Sequence, residues 1–184
     1  MNVSPKTFAI LSRDVYFKQR PDVDGFVCDR ELSSPTVAVY KRNNEVIFAI
    51  RGTWSLKDLF SDIYLAFGRL SRTARYKEAE DVVRHTLRYY RERPQIAFTG
   101  HSMGGSIAVL LALQYDAKCV GFNVGVGIAE KPDSFRARKI TLYTIEGDKL
   151  SQLSKLLPYN IIVLPKQSSN WYINHSIETM IRLL

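Results

Sequence analysis

The residues best suited to carry out a reaction form a short glycine-rich segment in the middle of the chain. Residues 100–104, GHSMG, fit the pattern Gly-x-Ser-x-Gly. In hydrolases this pattern places a serine on a sharp turn between a strand and a helix, where its hydroxyl can attack a carbonyl carbon. A strand-like run at residues 95–99 precedes the motif, and a helix-like run to about Tyr115 follows it. Ser102 is therefore the candidate nucleophile.

A serine hydroxyl needs a base that accepts its proton, and histidine is the usual one. The chain has three histidines. His85 precedes the serine, whereas in proteins with a serine on such a strand–helix turn the base follows the serine in the chain. His101 lies inside the motif, where we expect its side chain to point away from that of Ser102. His175, which we place in a loop after the last predicted strand, remains as the candidate base.

The base must in turn be oriented by a carboxylate that lies between the nucleophile and the base in the chain. Asp148 directly follows a predicted strand at residues 140–145, and Gly147 frees the turn. Glu146 lies in the same turn, and Asp133 lies in a loop after a less clear strand. Asp148 is the best candidate, and these two acidic residues remain as alternatives.

The negatively charged oxygen that forms during attack on an ester requires hydrogen-bond donors. The backbone N–H of Met103, at the start of the helix that follows the serine, is one candidate. Thr53, in a loop after an earlier strand, can offer both its N–H and its hydroxyl. Chemistry of this kind requires no metal and no cofactor, and we expect none.

The elements that must position these residues alternate along the chain. We predict helices at residues 5–17, 73–92, 102–115 and 176–183, and strands at residues 25–28, 36–40, 45–50, 95–99, 118–124, 140–145 and 161–164. Strands that alternate with helices predict an α/β fold with a mainly parallel, mixed sheet and helices on both faces. The length of 184 residues suits one domain that spans residues 1–184.

The chain carries a formal net charge of +8 at pH 7. Residues 69–93 hold eight basic and four acidic residues, a balance of +4 and thus half of the excess. Apolar residues recur there at helical spacing, which places Arg84, Arg88 and Arg91 on the outer face of an amphipathic helix. This face is either an ordinary solvated surface or a peripheral contact with an anionic membrane. Nucleic acid is not expected as a partner, because no recognition motif accompanies the charge.

The N-terminal segment and the apolar runs bear on location. The first residues include the charges of Lys6 and Arg13 and contain no apolar core of a signal peptide. The longest apolar run, at residues 107–113, is far shorter than the ~20 residues that cross a bilayer. The two cysteines lack the spacing of metal ligands or of a disulfide framework. We therefore expect a soluble, cytoplasmic protein.

These motifs together resemble those of the class 3 lipases, an α/β-hydrolase group that includes the fungal triacylglycerol lipases. The resemblance rests on residues 46–62, which contain Arg-Gly-Thr, on residues 99–106, on residues 147–150, and on the histidine that leads into the last helix. It implies the same nucleophile, acid, base and two oxyanion donors as the argument above. It also implies that Asp62 holds the hydroxyl of Thr53.

The resemblance implies a serine esterase or lipase that cleaves lipid or small carboxylic esters through an acyl-enzyme. The chain is shorter than a typical member, and the segments that would build a lid and acyl-binding walls are abbreviated, so we expect a compact fold with a reduced lid. Residues 63–70 are the remaining lid candidate, with simple core packing as the alternative. A catalytically silent, lipase-like protein that binds a partner or ligand is the competing interpretation.

Overall fold

The computed structural model describes residues 1–52, 70–90, 92–125, 134–151 and 157–184. Its strands are β1 (Val27–Asp29), β2 (Val37–Arg42), β3 (Glu45–Ile50), β4 (Gln95–His101), β5 (Lys118–Phe122), β6 (Ile140–Ile145) and β7 (Asn160–Leu164). The helices of the described residues are α1 (Pro5–Asp14), α2 (Ala74–Tyr89), α3 (Met103–Tyr115), α4 (Ser134–Ala137), α5 (Trp171–His175) and α6 (Ile177–Leu183), and a 3₁₀ turn covers Leu70–Arg72.

The seven strands form one sheet in which they lie in the order of the chain. β1, β2 and β3 pair antiparallel, whereas β3 to β7 pair parallel. Asn43 begins the turn of the β2–β3 hairpin with a φ of 51°, in the left-handed region that asparagine tolerates. The expected mainly parallel, mixed sheet is confirmed. Because parallel strands end at the same edge, the segments that follow β3 to β7 converge there.

Each face of the sheet is covered by helices and has its own apolar core. Along β3, Val46, Phe48 and Ile50 pack with residues of α2 and α3. Ile47 and Ala49 point to the other face and pack with residues of α1 and α6. This alternation follows from the two-residue period of a strand, and it explains why β3 is apolar at five consecutive positions.

Several boundaries differ from those expected from the sequence. α1 begins at Pro5 as predicted, after the cap Ser4, whose side chain accepts a hydrogen bond from the N–H of Thr7. It ends at Asp14 rather than near residue 17. Tyr16 has left the helix, and its hydroxyl accepts a hydrogen bond from the backbone N–H of Gly52. The short helix α5 was not anticipated. His175 is its last residue and not part of a loop.

Most of the lid candidate, residues 63–70, lies outside the described residues. Its last residue, Leu70, is 4% exposed and belongs to the core on the face of α2 and α3. For this residue, the core-packing interpretation is correct.

Candidate active site

Ser102 occupies the turn between β4 and α3 in a backbone conformation that is rare for a residue with a side chain. Its φ is 57° and its ψ is −128°. Its N–H donates to the carbonyl oxygen of Phe122 at 3.0 Å, which ties the turn to the end of β5. The side chain is buried, and Oγ has no hydrogen-bond partner among the described residues. A strained, unpartnered serine at a strand–helix turn is typical of a nucleophile.

The flanking glycines are required by the closeness of the surrounding backbone. A Cβ on Gly100 would lie 2.5 Å from the carbonyl carbon of Gly104. A Cβ on Gly104 would clash with the carbonyl oxygen of Ile50. The motif therefore allows the start of α3 to pack directly against β3 and β4, which holds the turn rigidly.

His175 and Asp148 meet beside this edge of the sheet. Nδ1 of His175 lies 3.1 Å from Oδ1 of Asp148, and both side chains are buried. Since the carboxylate accepts a hydrogen bond from Nδ1–H, the lone pair of the neutral imidazole resides on Nε2. Nε2 has no hydrogen-bond partner among the described residues. This arrangement suits a general base whose tautomer is set by a carboxylate.

The environment of Asp148 favours its ionised form. Burial raises the pKa of this carboxyl group, but the hydrogen bond and charge of His175 and further hydrogen bonds from Ser151 and the N–H of Leu150 outweigh burial. The net effect holds the pKa of Asp148 below its ordinary value. Of the two alternative acids, Glu146 is exposed, and Asp133 lies outside the described residues.

The loop after β3 is fastened to the nucleophile turn. The N–H of Gly52 donates to the hydroxyl of Tyr16 at 3.0 Å, and Arg75 donates to the carbonyl oxygens of Arg51 and Gly52. A Cβ on Gly52 would lie 2.7 Å from the carbonyl oxygen of His101.

The two predicted oxyanion donors, Met103 and Thr53, directly follow the candidate nucleophile Ser102 and the loop residue Gly52 in the chain. Met103 is the first residue of α3 and is buried. Thr53 immediately follows the fastened loop, but Thr53 and Asp62 lie outside the described residues, so their roles stay predictions.

Two further buried residues contact the candidate base. His101, which we expected to point away from the neighbouring serine, lies against His175 with ring centroids 4.8 Å apart and ring planes tilted by 46°. Burial lowers the pKa of His101 to about 3, so its ring is neutral near pH 7. Asn123 donates to the backbone of the same segment. The sequence carried one signal for Asn123, a polar residue at the carboxyl end of a buried strand, where sites of parallel sheets lie.

The basic face of α2 is partly neutralised. Arg84 lies 2.9 Å from Asp81 and 3.7 Å from Glu80, whereas Arg88 is exposed. Arg91 lies outside the described residues.

The described residues contain no group of three or more His, Cys, Asp or Glu side chains that could hold a metal ion. Within those same residues, no helix combines the length and apolar character needed to cross a membrane.

A serine on the turn after β4, followed in the chain by a carboxylate after β6 and a histidine after β7, is typical of the α/β-hydrolase class. Residues 47–124 match the family model described as Lipase (class 3), which confirms the resemblance to the class 3 lipases. The matched segment contains the Arg-Gly-Thr loop, β4, the nucleophile turn and α3. No curated protein matches the chain significantly in sequence.

Two solved structures share the fold. One is the native Rhizomucor miehei lipase propeptide complex, with a TM-score of 0.56, 14% identity and coverage of 81% of this chain and 62% of that chain. The other is a mutant form of MDLA from Penicillium cyclopium, with a TM-score of 0.55, 16% identity and coverage of 92% of this chain and 83% of that chain. The chain thus spans 62% of the length of the first. The family match and the solved structures together support a fold of the class 3 lipase type.

Proposed function

We propose that this protein is a serine hydrolase that cleaves carboxylic esters through a triad of Ser102, His175 and Asp148. The observation that carries the proposal is the buried 3.1 Å contact between His175 and Asp148, which leaves Nε2 of the imidazole available. The Oγ atom of Ser102 is the matching buried and unpartnered group on the nucleophile turn. The ring of His101, the residue before Ser102, lies against the ring of His175, so the candidate base sits beside this turn.

In the proposed reaction, Nε2 of His175 takes the hydroxyl proton of Ser102 while Oγ attacks the ester carbonyl carbon. The tetrahedral intermediate collapses, and the imidazolium returns the proton to the departing alcohol. Water then gives a proton to Nε2 and attacks the acyl carbonyl carbon. The second tetrahedral intermediate breaks its bond to Oγ, the imidazolium returns the proton to Oγ, and the carboxylic acid is released. Asp148 holds the imidazole in the required tautomer and stabilises its charged form.

The oxyanion formed in both steps would accept hydrogen bonds from the N–H of Met103 and from Thr53. One such donor typically contributes ~3 kcal/mol to transition-state stabilisation. The proposal for Thr53 is supported by the residue before it in the chain, because Gly52 bonds to Tyr16 and lies close to the carbonyl oxygen of His101. In this proposal Asp62 holds the hydroxyl of Thr53.

The proposed substrate is a lipid acyl ester or a small carboxylic ester. A lipid substrate rests on the class 3 lipase match alone. The competing interpretation, a catalytically silent binding protein, is not favoured, because Oγ of Ser102 and Nε2 of His175 are buried without a hydrogen-bond partner among the described residues. Such unpaired buried groups cost stability and call for a functional role.

Peripheral contact with an anionic membrane through Arg84, Arg88 and Arg91 remains part of the proposal. The exposed Arg88 and Tyr89 favour it, whereas the carboxylates around Arg84 weaken it. Sedimentation with phosphatidylglycerol vesicles at low salt tests this contact, with phosphatidylcholine vesicles as the reference. Equal binding to the two kinds of vesicle would remove the contact from the proposal.

The direct test of the function is hydrolysis of p-nitrophenyl butyrate by the wild type and by Ser102→Ala. We expect a loss of at least about 10⁴-fold in kcat, as for other nucleophilic serines. Ser71→Ala, which removes an exposed hydroxyl far from the nucleophile turn in the chain, is the matched control and should retain full activity. Full hydrolysis by Ser102→Ala would overturn the assignment.

A further inference from the structure

The side chain of Asn123 connects the segments that carry the candidate acid and the candidate base. It is fully buried just after β5, at a φ of 42°. Its Nδ2 donates to the carbonyl oxygens of Asn174 at 2.9 Å and His175 at 3.0 Å. Its Oδ1 accepts from the N–H of Ile145 at 3.0 Å, three residues before Asp148. One side-chain amide group is thus hydrogen-bonded both to the end of β6 and to the end of α5.

His101 contributes a second hydrogen bond to the same place. Its Nε2 donates to the carbonyl oxygen of His175 at 2.6 Å. The carbonyl group of His175 is therefore held from two sides, by Asn123 and by His101. Both donors lie at the ends of neighbouring strands, β5 and β4, which places the base relative to the rigid centre of the sheet.

We propose that Asn123 and His101 are positioning residues that set where the His175 imidazole stands relative to Ser102 and Asp148. This inference rests on the proposed function, because it assigns a role in the same reaction. Neither residue touches the reacting atoms in this role. They act through the backbone of His175, from which only two rotatable bonds lead to the ring.

The requirement for such fastening follows from the helix that carries the base. α5 has only five residues, and such a short helix is not stable by itself. Proton transfer requires Nε2 within hydrogen-bond reach of Oγ, and a displacement of ~1 Å can cost about 10²-fold in rate. Anchoring the last residue of α5 to β4 and β5 removes this freedom.

Asn123→Asp is the sharpest variant, because it replaces the donating amide nitrogen by an oxygen of similar size. It also adds a negative charge, and the uncharged His101→Leu and His101→Gln variants below separate the loss of a donor from that charge. A carboxylate keeps the shape of the side chain, the acceptor for Ile145 and the tolerance of a left-handed φ. Nδ2 is replaced by an oxygen that faces two carbonyl oxygens, so the anchor is lost. We expect kcat for p-nitrophenyl butyrate to fall about 10- to 100-fold with little change in KM. Asn160→Asp, the same change on the exposed start of β7, should leave both unchanged.

His101 provides an independent pair of variants. His101→Leu removes the donor, whereas His101→Gln keeps an N–H donor near the position of Nε2. We expect His101→Leu to lower kcat and His101→Gln to restore part of the loss. Equal kcat values for these two variants, or an unchanged kcat in folded Asn123→Asp, would overturn the proposal. If Asn123→Asp does not fold, the His101 pair decides.

A second readout does not depend on turnover. The Nδ1–H of His175, hydrogen-bonded to Asp148, should give a far-downfield proton resonance in NMR spectra. We expect Asn123→Asp to shift or broaden it, while Asn160→Asp leaves it in place. An unchanged resonance in Asn123→Asp contradicts the positioning role. A wild type without hydrolysis but with a resonance that responds to Asn123→Asp would contradict the proposed function and leave the positioning role supported.

Discussion

Nδ1 of His175 and Oδ1 of Asp148 lie 3.1 Å apart, although the two residues are separated by 27 positions in the chain. They meet because β6 and β7 are adjacent parallel strands, and the segments that follow them emerge at the same edge of the sheet. Both side chains are almost fully shielded from water, at 2% and 0% exposure. A buried carboxylate needs a compensating partner, and the imidazole provides it.

Replacement of Asp148 by asparagine should strongly reduce catalysis, because it changes which nitrogen of His175 carries the proton. In Asp148→Asn, the amide can present its N–H to Nδ1, which favours the tautomer that leaves no lone pair on Nε2. We expect kcat to fall about 10⁴-fold. Glu146→Gln, in the same turn but exposed, is the control and should stay within a few-fold of wild type. Similar losses in the two variants would move the acid away from Asp148.

His101 predicts a pH dependence of stability. Its pKa of about 3 in the folded protein lies below the ordinary value of 6.5. The unfolded chain therefore binds the proton more readily, and acidification through the interval between these values favours unfolding. This group should lower the free energy of unfolding by about 2 kcal/mol between pH 7.5 and pH 5. Most of this loss falls below pH 6.5, where the slope reaches about 1.4 kcal/mol per pH unit.

Urea unfolding at these two pH values measures the effect. His101→Gln should lose most of this pH dependence, whereas His85→Gln, which alters an exposed histidine of α2, should retain it. The same slope in His101→Gln and in the wild type would contradict a buried, neutral His101.

From the hydrogen bond that Gly52 donates to Tyr16, we expect the segment that follows α1 to affect catalysis. Tyr16→Phe removes the acceptor of a buried backbone N–H, a change that typically costs about 1–3 kcal/mol. We expect a lower free energy of unfolding and a several-fold lower kcat, because the loop that leads to Thr53 is less firmly held. Tyr89→Phe, on a tyrosine with 64% exposure, should change neither quantity.

The oxyanion assignment is tested at Thr53 itself. Thr53→Ala keeps the backbone N–H and removes the hydroxyl, so a loss of about 10²-fold in kcat is expected, the lower end for one donor. Asp62→Asn should cause a smaller loss, since it only loosens the hydroxyl. An unchanged kcat in Thr53→Ala would contradict a role of the hydroxyl and would mean that only backbone N–H groups stabilise the oxyanion.

Local signals predicted most of the fold. The continuous apolar run at residues 46–50 and the cap at Ser4 place β3 and the start of α1 correctly, because these features depend on neighbours in the chain. The end of α1 depends on the contact of Tyr16 with Gly52, and the helical pattern does not reveal such a contact. α5 is too short for a periodic pattern, so only its cap at Asn170 could have indicated it.

The candidate triad could be chosen from the sequence because chain order and a small number of histidines leave few alternatives. Asn123 could not, since its role depends on contacts with Asn174 and His175 about fifty positions away. The charge of α2 is a different case. Arg84 pairs with Asp81 and Glu80 at the i,i+3 and i,i+4 spacings of a helix, so the sequence already contained the signal for its partial neutralisation.

Labelling with a fluorophosphonate probe tests the central claim most directly, because the probe reacts only with a serine that is activated as a nucleophile. We predict stoichiometric labelling of the folded wild type, with the modified peptide carrying the probe on Ser102. Labelling should be absent in Ser102→Ala and much slower in Asp148→Asn. Folded wild-type protein that remains unlabelled, or that carries the probe on another serine, would contradict the assignment of Ser102 as an activated nucleophile.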